Sequence, residues 1–473
     1  MKTMKTIAIA ILLIVGLTQA HAADFTWTSV GSGFWSDTTK WNPNGTPGDS
    51  DSIVTETPNG FLYVNSGTRT VTNWTQSGGG VNFRALGQSG TGGTILNITG
   101  TLSKAGTSTL IIRNSSGTAN PLDLTVGHIA LSNGDLKFGE GDDTQYLESF
   151  SATSATLTGG SMFFEVGAGT GTATISGTLD MQNSSSVSLR HATSAGQSGT
   201  LAVGSLVSTS ATTVIEVNNT SANTTTAILA MNNASGTSTY AGIIRNGGTG
   251  SSVNTLSVTK DGAGTQVFSG ASNTYTGTTT VNAGSLIING AQTGGGDFTV
   301  KSGGTLGGTG SIGLAANSSA NVLSGGVLTA SSADSLAFVL SGVGTLDVSG
   351  ALGGATSMFF SLDAPASTVI SITGGLNIGT GILNFDDFSF TADGGFGEGT
   401  YTLFGGANAL TGTLGSSLIG TISGKTSTIS LSGNDVILSV VPEPATGVLL
   451  TVGLTIALSF RRRRSPVLSR RVG

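Results

Sequence analysis

Three pairs of aspartates stand close together in the chain: Asp49 with Asp51, Asp142 with Asp143, and Asp386 with Asp387. Two carboxyl groups about 5 to 10 Å apart are what a glycoside hydrolase needs, one to protonate the leaving oxygen and one to act as nucleophile or to activate water. A lyase would need a base flanked by cations or a metal. Each pair lies among Gly, Ser, Phe or Thr in a predicted turn, where aspartate is favoured because its side chain hydrogen-bonds the nearby backbone. A turn role is therefore expected for all three. Carboxylates and turn carbonyls are also the hard oxygen ligands that calcium takes. The Gly-Gly-x-Gly-x-Asp nonapeptide that would mark a calcium-binding solenoid is absent, and calcium is left unassigned.

The remaining chemistry-bearing residues are sparse. His128 and His191 are single and far apart, and there is no cysteine. Neither histidine has the neighbours of a zinc site, so both are expected to be structural or exposed. The Gly90-Thr-Gly-Gly93 piece lacks the Lys-Ser/Thr and the following helix of a phosphate loop. No catalytic residue, cofactor-binding residue or metal ligand is assigned, and the chain is read as a non-enzyme.

Composition points to what would position such residues if they worked. Of 473 residues 75 are Gly, 37% are apolar and only 9% are charged. That hydrophobicity with so little charge argues against disorder, and the glycine suits a fold with a turn at every corner. Without cysteine, an exported chain of this kind must hold together by stacking alone. The formal charge of −6 hides a partition. With two lysines in the leader and six arginines in the tail set aside, 11 basic residues face 25 acids, and the body is near −14. Nucleic acid is excluded as a partner on that ground.

Residues 1–22 have the three parts of a secretory leader: Lys2 and Lys5, an apolar run over 7–17, and a small-x-small end at Ala20-His21-Ala22. The run is too short for a spanning helix, which takes about 20 residues, so cleavage is expected after Ala22. All four tryptophans (Trp27, Trp35, Trp41 and Trp74) then fall within residues 23–75. They are expected to cap the open end of a solenoid; the alternative is a platform on which sugar rings stack.

From residue 76 to 440 the text is strand, Gly or Asn turn, strand, with no convincing amphipathic helix. A Gly-x-Leu unit recurs, as at 134–136, 177–179, 199–201, 284–286, 304–306, 326–328 and 344–346; the leucine positions Leu136, Leu157, Leu179 and Leu201 are spaced by 21 or 22 residues and Leu286, Leu306, Leu328 and Leu346 by 18 to 22. Such a period suits one coil of a solenoid, in which inward side chains are buried only by the coils above and below. The fold class is therefore an all-β, right-handed parallel β-helix with an aromatic N-terminal cap, the hand being that of crossovers between parallel strands in general.

Two segments resemble known families. Within residues 255–313, the order Gly262-Ala-Gly264, Phe268-Ser-Gly270, Asn273-Thr-Tyr275-Thr-Gly277, Thr280-Val281 and Ala283-Gly284-Ser-Leu286 resembles the autotransporter-associated β-strand repeat. The segment opening at Phe25 is similar to the start of many secreted proteins that carry that repeat. Near the end, Pro442-Glu443-Pro444 precedes an uncharged run over 445–460 and then Arg461, Arg462, Arg463 and Arg464. The prolines break the preceding strand and hold an extended peptide. Sixteen helical residues span about 24 Å, short of the ~30 Å bilayer core but workable with thinning and snorkelled arginines. The arginines stay cytoplasmic by the positive-inside rule, which leaves residues 465–473 as a cytoplasmic tail. This arrangement over 441–464 closely resembles the PEP-CTERM sorting signal. The resemblance implies an exosortase-type membrane protease as partner, cutting near 442–445, with inner-membrane anchoring before processing and extracellular polysaccharide as a partner afterwards.

Three functions follow as expectations. The first is an exported, non-enzymatic rod at the cell surface or in an extracellular matrix. The second is a polysaccharide-degrading enzyme on the same scaffold. The third, an autotransporter passenger, lacks the series of roughly 10-residue alternating strands that a translocating barrel would require at the C-terminal end.

Overall fold

The computed structural model describes residues 22–29, 31–56, 60–86, 93–114, 122–139, 147–165, 171–190, 197–218, 225–247, 254–331 and 338–442. Among them the chain is all-β, with three short 3-10 turns and no α-helix. Strands of alternating inward and outward residues wind into a β-solenoid whose faces are sheets of 18, 9, 7 and 8 strands.

One inward column shows how the coils stack. Trp74 pairs in parallel with Leu102, Leu102 with Ile129, Ile129 with Ala155 and Ala155 with Leu179. All are at most 1% exposed. No coil can hide these side chains alone. Each leucine gains its roughly 1.5–3 kcal/mol of burial only because the next rung covers it, at the ~4.8 Å spacing of paired strands.

The cross-section changes along the rod. In the first half a turn uses one long strand and one short one, as in Thr94–Lys104 followed by Thr109–Asn114. The long strand is bent, because its two halves pair with separate strands, Gly67–Val71 and Asn73–Gln76. A register shift between Val126 and His128 marks the bend on the next rung. From Thr225 onward a turn draws on three sheets, first with Thr225–Asn232, Thr237–Tyr240 and Ile243–Asn246 and later with shorter strands such as Thr279–Val281, Gly284–Ile288 and Ala291–Gly295.

This change corrects the expected leucine stack. Leu286, Leu306 and Leu328 do lie one above the other, and Met358 continues the column. Leu346 belongs to another face, between Ala320 and Leu376. Leu136, Leu157, Leu179 and Leu201 do not stack on one another: Leu136 pairs with Met162, Leu157 with Met181, Leu179 with Leu206 and Leu201 with Leu229. The physical reason is that rungs differ in length, from 19 residues between Thr279 and Phe298 to 34 between Leu376 and Leu410, so no fixed period tracks one column.

Both ends of the described ladder are closed. Trp41 sits at the centre of the N-terminal aromatics, its ring centroid 4.9 Å from Trp27, 5.4 Å from Trp35 and 6.4 Å from Phe25. Its Nε1 donates to the Trp35 carbonyl at 2.9 Å. At the other end the parallel order gives way to an antiparallel meander: Gly399–Gly405 pairs with Asp435–Val440, which pairs with Lys425–Ser432, which pairs with Ile419–Ile422. Tyr401 is buried there and its hydroxyl accepts from the Gly397 amide at 2.9 Å. No described helix is long and apolar enough to cross a membrane, and the expected spanning segment over 445–460 lies outside the described residues.

Candidate functional site

In each of the two described carboxylate pairs, one member is taken up by backbone amides. Asp51 accepts the amide of Ala23 on Oδ1 and that of Gly48 on Oδ2, both at 2.9 Å, while Asp49 is exposed in the turn. Asp387 is 2% exposed and accepts the amides of Gly353 at 2.9 Å and Asn384 at 2.7 Å. Burial pushes its carboxyl above the ordinary carboxylate value, an effect the two backbone donors oppose. Asp386 points to solvent beside it. Asp142 and Asp143 lie outside the described residues, as does His191. The Nδ1 of His128 is 2.8 Å from Oγ of Ser154, on the next rung. Among the described residues no three His, Asp or Glu gather where they could hold a metal ion.

The four tryptophans are at most 1% exposed and offer no face to a sugar. Trp74 Nε1 donates to Thr55 Oγ1 at 3.0 Å and Trp35 Nε1 to the Pro47 carbonyl at 3.3 Å, which settles their polar ends inside the rod.

Two lysines that sequence reasoning passed over are buried in the core. Nζ of Lys104 donates to the carbonyls of Ala105, Gly106 and Asn133 at 2.8, 2.9 and 3.1 Å. Nζ of Lys260 donates to those of Asp261, Gly262 and Ala283 at 2.7, 2.8 and 3.2 Å. The two sites are the same device. In each, an inward lysine stands at or next to the end of a strand, two of its acceptors are the next two residues and the third lies one rung on. Desolvation pushes both ammonium groups below the ordinary lysine value, against a weaker pull from Asp135 or Asp261. The signal was present in the sequence: Leu102-Ser-Lys104 and Val258-Thr-Lys260 keep the two-residue alternation that turns the lysine inward.

Three other inward polar residues of this region, Asn273, Gln292 and Gln266, also hydrogen-bond backbone. Asn273 accepts the Ile244 amide at 2.9 Å, and Gln292 donates to the Tyr275 carbonyl at 2.8 Å. Gln266 donates to the carbonyls of Leu206 and Ser238, at 3.0 and 3.2 Å. The Tyr275 hydroxyl lies 2.9 Å from Oγ1 of Thr279.

Residues 258–288 match the passenger-associated transport repeat. The matched segment contains the inward Lys260, Gln266, Asn273 and Tyr275. No curated protein and no solved structure matches the chain.

The sorting residues stand at the edge of what is described. The Val441 amide still donates to the Thr426 carbonyl at 3.0 Å, and Pro442 is the exposed residue at which the chain leaves the last sheet. Glu443, Pro444 and Arg461 to Arg464 lie outside the described residues. Ala22 is described and exposed, and Ala20 is not described.

Proposed function

We propose that the protein is an exported, non-enzymatic component of the cell surface or extracellular matrix, built as a right-handed β-helical rod and delivered through its C-terminal signal. The observation that carries this reading is the transport-repeat match inside a parallel ladder, where the inward Lys260 and Gln292 hydrogen-bond the rod's own backbone. Repeated outward faces suit weak contacts that add along a polymer, so affinity comes from repetition.

Sorting follows from the tail. An exosortase-type protease would act near 442–445, just beyond the last strand, after the apolar run has held the protein in the inner membrane. Exposure of Pro442 fits access at that point. Envelope fractionation tests the reading. The protein is expected with the outer envelope or the exopolysaccharide, and recovery from the cytosol would overturn it.

The repeat favours a second reading, a passenger-like adhesin that contacts a surface directly. Attachment of cells to a polysaccharide-free surface, lost on deletion of the gene, would select it. Turnover of a uronic-acid polymer that disappears on changing one aspartate pair would instead establish the enzyme.

A further inference from the structure

We propose that the outer face of the nine-stranded sheet is a binding surface for an acidic polysaccharide, with carboxylate-bearing sugar rings stacked on aromatics and their charges held by basic side chains. Of the 11 basic residues outside leader and tail, five lie on this one sheet: Arg84, Lys137, Arg190 and Arg245 project from it, and Arg113 is buried at 6% exposure. Three carboxylates share the face, Asp135, Glu165 and Glu216, so it is net positive on a body that is strongly acidic. Glu216 is engaged by Arg245, 2.7 Å away.

The face is also where the outward aromatics gather. Phe34 pairs with Tyr63, and the Tyr63 ring stacks on Phe61 at 5.6 Å and 17°. Phe34 is 42% exposed. The Arg84 guanidinium lies 4.6 Å from the Phe61 centroid, and that of Arg190 lies 4.0 Å from the centroid of Phe163. A guanidinium laid on a ring keeps its N–H edge for a carboxylate, and its charge is held in place by the ring. Beside Phe61 an open groove of about 400 Å³ is walled by Asn82, Ser32, Ser108 and Thr109. Amide and hydroxyl groups around an aromatic wall are what a sugar ring requires.

Register turns these residues into a track. Tyr63 pairs with Arg84, and Arg84 with Arg113; on the neighbouring column Phe61, Asn82, Ile111, Lys137 and Phe163 follow in order. A polymer lying along the rod would meet a new rung about every 4.8 Å, which suits a chain with one charge per ring. A duplex nucleic acid carries far denser charge and would meet the acidic remainder of the body. The proposal rests on the matrix reading above and adds its ligand class and its face.

The full chain in mild detergent is tested for binding to immobilised polygalacturonate and to neutral dextran, at low and high salt. Polygalacturonate is expected to bind at low salt, at least tenfold more tightly than dextran, and to be released by salt. The Arg84→Gln, Lys137→Gln, Arg190→Gln triple variant is expected to bind at least tenfold more weakly with an unchanged circular-dichroism spectrum. Phe359→Ser, on the outer face of the seven-stranded sheet, is expected to bind as the wild type does. Equal binding of dextran, no binding of polygalacturonate at low salt, or an undiminished folded triple variant would overturn the proposal. The wild-type comparison of the two polymers decides it even where the triple variant does not fold. Envelope fractionation is read separately, so a failed ligand and a failed location are distinguishable.

Discussion

The backbone nitrogen of Ala23 donates to Oδ1 of Asp51 at 2.9 Å, tying the first described strand to a carboxylate 28 residues further on. Cleavage after Ala22 would turn that amide into an ammonium group on the same carboxylate. With cleavage there, Asp51 would anchor the mature N-terminus. Asp51→Asn is expected to destabilise the processed protein by about 1–3 kcal/mol, the scale of a hydrogen bond to a charged group. Chemical denaturation checks it, and an equal loss in the unprocessed precursor would show that the new terminus plays no part.

The interior lysines make alkaline stability a readout of the core. Both have folded values below the unfolded one of about 10.5. The unfolded chain therefore binds more protons between the folded and unfolded values, and stability rises with pH across that window. Tyr240 and Tyr275 act oppositely: burial raises both phenols, so their contribution falls as pH climbs past the unfolded value near 10. Lys260→Met is expected to cost about 1–3 kcal/mol at neutral pH by leaving three carbonyls without that donor. It should also flatten part of the rise, as guanidinium titrations at successive pH values would record.

Close stacking at one corner leaves no room for a side chain. A Cβ on Gly290 would lie 2.0 Å from the Gly270 carbonyl oxygen, and one on Gly310 the same distance from that of Gly290. Gly290→Ala forces the rungs apart and is expected to lower stability by about 2–4 kcal/mol, in the range of strongly disruptive single changes. Gly394→Ala, with open space around it, serves as the control in the same thermal melts.

The aspartates make the non-enzymatic reading checkable. Incubation with polygalacturonate is expected to yield no new reducing ends and no unsaturated product. Asp386→Asn should leave stability within about 0.5 kcal/mol, as for an ordinary surface change. Asp387→Ala should lower it by about 1–3 kcal/mol, because two backbone amides lose their acceptor.

Much of the ladder was legible because strand alternation survives in single short runs: Leu286, Leu306 and Leu328 were recognisable as one column from their spacing. The same reasoning misassigned Leu136, Leu157, Leu179 and Leu201, since a repeat of 21 or 22 residues is shorter than the 24 to 28 that separate them from their true partners. Lys104 and Lys260 were readable from parity alone and were passed over because a lysine is ordinarily a surface residue. The basic and aromatic face was not legible. Its members are scattered from residue 34 to residue 245, and only register brings them to one side.

The most direct test of the account is the intact mass of the mature protein recovered from the envelope. The sorting reading predicts an N-terminus at Ala23 and a C-terminus within residues 442–445, without the apolar run and the arginines. A chain that still ends at Gly473 would contradict it.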